Sequence, residues 1–141
     1  MRLKAPLLLD TCAALWTSTS DMELRDQAAE ALIQADAQGV PIHLSPITAW
    51  EVAQLVARGR YALSVDPLIW FETLLAAGLT EAPLSPDILV AASYLPQSKG
   101  LRDPADRILA ATARLRGWTL VTRDRPLLAY AEGGHIRALA C

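Results

Sequence analysis

Asp103-Pro104-Ala105-Asp106-Arg107-Ile108-Leu109-Ala110-Ala111-Thr112-Ala113-Arg114-Leu115-Arg116-Gly117-Trp118-Thr119-Leu120-Val121-Thr122-Arg123-Asp124 decides the fold of this chain of 141 residues. Asp103 before Pro104 is a helix start. The aspartate is a favoured cap, and the proline ring holds a helical φ where no amide hydrogen is needed. Gly117 ends that helix, because glycine enters the left-handed turn that closes many helices. Trp118–Thr122 then reads as a short buried strand, and Asp124 stands just past its carboxyl end.

The same alternation runs upstream. Leu7-Leu8-Leu9 is a short strand ending at Asp10, Asp21–Gln38 a helix closed by Gly39, and Ile42–Leu44 a second strand. Ser45-Pro46 starts a helix to about Arg58, Asp66-Pro67 one to about Ala77, and Ser85-Pro86 one to about Leu95. Thr80–Leu84 and His135–Ala140 read as further strands, and Arg125–Ala131 as a short helix. Strands alternating with helices imply an α/β fold, a central parallel sheet of four to five strands with helices on its faces.

Composition sets the outer bounds. Residues 1–141 fit one domain, 52% hydrophobic and 20% charged with a net charge of −2, which argues against disorder. No apolar run approaches the ~20 residues that span a bilayer, so no membrane role is expected. Only three leucines precede Asp10 near the start, so nothing marks export and a cytoplasmic protein is expected. Cys12 and Cys141 are too few for a disulfide framework and read as reduced thiols, with Cys12 in the core. Eleven arginines against two lysines favour planar, bidentate phosphate contacts. Seven cations face three acids between Ser98 and Arg125, whereas Asp21–Asp36 holds five acids against Arg25, a solvated helix face.

Several carboxylates stand where apolar neighbours make them costly. Asp10 ends an apolar strand, where open parallel sheets place their ligand crevice; a helix cap is the structural alternative. Glu51 shares a helix face with Ile47 and Leu55, and an unpaired carboxylate there needs a partner, either a cation site or Arg58. Asp103, Asp106 and Asp124 each have a capping explanation. If Asp10 and Asp124 end parallel strands, however, they share one sheet edge, and neighbouring helices can bring Glu51 and Asp106 there. Like charges so gathered persist only when neutralised, and all-oxygen ligation selects Mg²⁺ or Mn²⁺. His43 and His135 lack partners for a triad or a zinc site and read as ordinary residues.

Four segments together, Leu8-Leu9-Asp10-Thr11, Ser45-Pro46-Ile47-Thr48-Ala49-Trp50-Glu51-Val52-Ala53, Arg102-Asp103-Pro104-Ala105-Asp106-Arg107 through Ala113, and Leu120-Val121-Thr122-Arg123-Asp124, resemble in order the PIN-domain ribonucleases of the VapC toxin type. The resemblance covers nearly the whole chain and implies a PIN-like fold. It also implies Mg²⁺ or Mn²⁺ held by Asp10, Glu51, Asp106 and Asp124, with Asp103 as an additional acid. Endonucleolytic RNA cleavage, a homodimer and inhibition by a VapB-like antitoxin protein are implied as well. On that basis Thr11, Thr122 and Arg107 are candidates to support the carboxylates, and Arg58, Arg60, Arg102 and Arg125 to contact the RNA backbone.

The alternatives are a PIN nuclease of RNA processing and a module whose acid pocket binds without catalysis. A phosphatase of the haloacid-dehalogenase type is disfavoured, because it needs an aspartate where this chain has Cys12.

Overall fold

The computed structural model of the chain describes residues 5–18 and 26–141. Its elements run β1 (Leu7–Leu9), α1 (Thr11–Ser18), α2 (Asp26–Gln38), β2 (Ile42–Leu44), α3 (Pro46–Ala57), α4 (Pro67–Ala76) and β3 (Thr80–Glu81). They continue α5 (Pro86–Ser93), α6 (Pro104–Arg116), β4 (Thr119–Thr122), α7 (Arg125–Glu132) and β5 (Arg137–Ala140). The part of the expected Asp21–Gln38 helix before Asp26 lies outside the described residues, as does most of its acidic face.

The strands form one five-stranded sheet in the order β3-β2-β1-β4-β5, and every pairing is parallel. Local chemistry explains the element ends. Ser45 accepts from the Ile47 amide at 3.1 Å and Asp66 from Leu68 at 2.8 Å. Asp103 accepts from Asp106 at 3.2 Å, and Asp124 from Leu127 at 3.1 Å. Gly117 closes α6 at φ 71°, a left-handed turn that a Cβ disfavours.

Strand alternation divides the core in two. Leu7, Leu9, Leu44 and Val121 point to the face covered by α1–α4, where Ala14, Ala31, Val52, Trp70 and Phe71 are buried. Leu8 and Leu120 point to the opposite face, against Ile88 of α5, Leu109 and Ala113 of α6, and Leu127 and Tyr130 of α7. Both faces of a parallel sheet are therefore covered, as its strands require.

Some expectations need correction. The chain turns helical at Thr11, straight after β1, and this α1 leaves Cys12 exposed instead of in the core; both cysteines are free thiols. β3 is two residues long, shorter than the Thr80–Leu84 reading. Among the described residues no helix is long and apolar enough to cross a membrane. His43 is buried and stacked on Trp118 at 3.6 Å, and His135 stacks on Tyr130.

Candidate active site

Topology gathers the acids before any side chain is considered. β1 and β4 are parallel neighbours with Leu9 opposite Val121, so their carboxyl ends, and with them Asp10 and Asp124, meet at one edge. The chain leaves β1 toward β2 on one side while β4 lies on the other. Asp10 thus stands at the point where strand order reverses, the usual place for a ligand crevice in such sheets. α3 follows β2 from that same edge and carries Glu51 in its second turn. α6 returns toward the start of β4, so its first turn, with Asp103 and Asp106, also lies at the carboxyl edge, where α6 touches α3.

Hydroxyls fix these carboxylates. Asp10 is 5% exposed; its Oδ1 accepts from the Ala13 amide at 2.8 Å and its Oδ2 from the Thr122 hydroxyl at 2.5 Å. The Thr122 oxygen in turn accepts from the Asp124 amide at 3.0 Å, which ties the two strand ends together. Thr11 donates to Glu51 Oε1 and lies 3.4 Å from the buried Thr48 hydroxyl. Thr11 and Thr122 thus hydrogen-bond carboxylates, and Thr48, on the same face of α3 as Glu51, lies beside the Thr11 hydroxyl.

Capping and clustering hold together. Asp10, Asp103 and Asp124 each cap a helix with one oxygen. The acids nonetheless feel one another strongly. Burial, followed by the charges of Asp124, Asp103, Glu51 and Asp10, pushes the Asp106 carboxyl up to about 8. Burial and the nearby charges of Asp103, Asp10 and Asp124 likewise raise Glu51, against the lowering effect of the Thr11 hydrogen bond. Asp10 is raised chiefly by burial. The exposed Cys12 thiol, pushed to about 11 by burial of its sulfur and then by Asp10, Glu51 and Asp106, reports the same negative field.

Among the described residues no cation pairs with these acids. Arg116–Asp87, far along the surface, is the one ion pair among the described residues, so the Arg58 partner considered for Glu51 is not engaged. Arg123 lies 3.7 Å over the Trp16 ring and donates to the Cys141 carbonyl at 3.0 Å; its charge is the weakest of the influences on Asp10. Five carboxylates with uncompensated charge and oxygen donors only are chemically suited to a hard divalent ion. Among the described residues no three His, Cys, Asp or Glu side chains are grouped tightly enough to hold one ion between them. The arrangement is an acid-lined crevice and not a closed coordination cage.

The arginines separate. Arg107 does not support the carboxylates: its guanidinium donates to the carbonyls of Ala92 at 2.8 Å, Leu101 at 2.7 Å and Ser98 at 3.3 Å, and to the Ser98 hydroxyl at 3.1 Å. It staples the 94–101 loop instead. Arg58 and Arg60 line a cleft of about 400 Å³ together with Glu51 and Asp103. Arg102 and Arg125 line other hollows, so the four do not form one track.

The PIN domain family model matches residues 7–133, and the chain belongs to that family. The chain is 36% identical over 121 residues to Ribonuclease VapC22 of Mycobacterium tuberculosis (strain ATCC 25618 / H37Rv), covering 86% of this chain and 88% of that one. Within the family, then, its likeness is to the VapC toxin type. Solved structures share the fold. VapBC2 from Rickettsia felis, bound to a DNA fragment of its promoter, superposes with a TM-score of 0.68 at 17% identity, covering 95% of this chain and 97% of the other. FitAcB from Neisseria gonorrhoeae gives 0.58 at 20% identity over 94% and 96%.

Proposed function

We propose that the chain is the endoribonuclease toxin of a toxin–antitoxin pair, hydrolysing RNA phosphodiesters with Mg²⁺ or Mn²⁺ and restrained by a VapB-like antitoxin. The observation that supports this reading is the gathering of Asp10, Glu51, Asp103, Asp106 and Asp124 near the switch point of the sheet, with no ion-pair partner among the described residues. The 36% identity to a protein named a ribonuclease supplies the reaction class.

Asp10 and Asp106 would hold the ion, with Glu51 and Asp124 contributing directly or through water and Asp103 in a lesser role. A divalent ion bound there would acidify water and neutralise charge on the phosphate. The protein's part is orientation. Thr122 and the Ala13 amide leave Asp10 one rotamer, and Thr11 holds one oxygen of Glu51 while the other stays free. Asp106 accepts no hydrogen bond among the described residues, so its half-buried carboxylate is free to turn toward a ligand. In-line attack by water would leave a 5′-phosphate and a 3′-hydroxyl. Arg58 and Arg60 would bear on backbone phosphates beside the acids.

The test is incubation of the purified full chain with single-stranded RNA in Mg²⁺, in Mn²⁺ and in chelator, beside Asp10→Asn. Cleavage that needs the ion and vanishes in the variant is expected. Cleavage that survives chelation or Asp10→Asn overturns the assignment, and no cleavage under any condition favours a binding module.

A further inference from the structure

Three of the four tryptophans are accounted for by the fold. Trp16 is 9% exposed beneath Arg123, Trp70 is buried and donates from Nε1 to Ser18 at 2.9 Å, and Trp118 stacks on His43. Trp50 is different. It is 53% exposed, and among the described residues its indole makes no ring contact and no hydrogen bond. It stands one residue before Glu51 and lines the same cleft as Gln54, Arg58, Arg60 and Asp103.

The composition of that cleft narrows what Trp50 can meet. Leu55 is the one other large apolar residue lining it; the remaining side chains are mostly charged or amide-bearing. An apolar protein helix would find little to bury there. Arg58 and Arg60 are exposed and donate no side-chain hydrogen bond among the described residues. Along α3, Glu51 and Arg58 are separated by about 10 Å of rise. Acids, free guanidinium groups and an open indole lining one cleft match a short stretch of polyanion with flat, unpaired bases.

We propose that Trp50 is a stacking platform for a base of single-stranded RNA adjoining the cleaved phosphate, with Arg58 and Arg60 holding the neighbouring phosphates. This rests on the nuclease reading and adds to it a residue that positions the substrate beside the cut. Aromatic stacking tolerates many sequences, because every base has a π-face.

The experiment uses a fluorescently labelled short RNA of mixed sequence, single-stranded or annealed to its complement, and reads binding by anisotropy in an Asp106→Asn background that silences turnover. Adding Trp50→Ala is expected to weaken single-strand binding about tenfold or more, while Trp50→Phe restores most of it. Duplex binding should be weaker and indifferent to Trp50. Equal affinity of the Ala and Trp forms for the single strand, or an equal loss on duplex, overturns the proposal. So does a change of oligomeric state in Trp50→Ala by light scattering, which would make Trp50 a protein contact. A parent that binds no RNA at all removes the nuclease reading itself, whereas a parent that binds with no role for Trp50 removes the stacking proposal alone. Circular dichroism of both variants checks folding, and the exposed position of Trp50 favours it.

Discussion

Arg107 and Asp106 are neighbours in the chain and opposites in circumstance. Arg107 has its charge spread over three backbone carbonyls and a serine hydroxyl. Asp106 has burial and four like charges against it and, among the described residues, no ion-pair partner. One step along a helix turns a side chain by 100°, enough to carry the first into the wall of the fold and the second into the crevice. A satisfied ionic group holds a structure together. An unsatisfied one is tolerated where something from outside completes it.

That contrast can be broken in five places. The largest effect is expected at the crevice: Asp10→Asn should lower RNA cleavage at least about hundredfold, since ion ligation contributes several kcal/mol to the transition state. Its melting temperature should hold, because an amide oxygen can still accept from Ala13 and the amide nitrogen can donate to Thr122. Arg107→Ala should do the reverse. Leaving the 94–101 loop carbonyls without donors should cost about 2–3 kcal/mol in urea unfolding, with kcat little changed. If Arg107→Ala abolishes cleavage in protein that remains folded, the division between wall and crevice is wrong.

Thr122→Val keeps the shape but removes the hydroxyl that orients Asp10, and should weaken Mg²⁺ affinity about tenfold by calorimetry. The pH response follows from Asp106. A carboxyl whose folded value is raised from 3.8 to about 8 binds more protons folded than unfolded across that window, so stability is highest on the acid side and falls as pH rises. In chelator the melting temperature should therefore drop between pH 5 and pH 8, and Mg²⁺ should restore it more at pH 8. A flat profile would mean the acids are not crowded. Smallest, Arg58→Ala with Arg60→Ala should reduce the salt slope of RNA binding by about 2.

Much of the fold was legible because its punctuation is strong. Ser45-Pro46, Asp66-Pro67, Ser85-Pro86 and Asp103-Pro104 each open the expected helix, and Gly117 closes one. α1 was legible only as the helix that Asp10 would cap, an alternative to its role as a ligand. Thr11–Ser18 follows a strand without a break and is apolar nearly all round, so helix and strand periods look alike there, and Cys12 was read as core. Four of the five acids could be named from strand ends and helix starts, and Glu51 from its apolar helix face. What sequence could not convey was side-chain direction: Arg107 beside Asp106, or Trp50 beside Glu51, reads as an adjacent letter whichever way it points.

The hydrogen bond from Thr122 to Asp10 spans 112 residues of chain. Until β4 has been made and docked beside β1, only the local Ala13 amide holds Asp10 and Asp124 has no edge to join. A partly synthesised chain therefore carries its first acids in no useful order. The crevice is complete only once β4 has emerged and paired with β1.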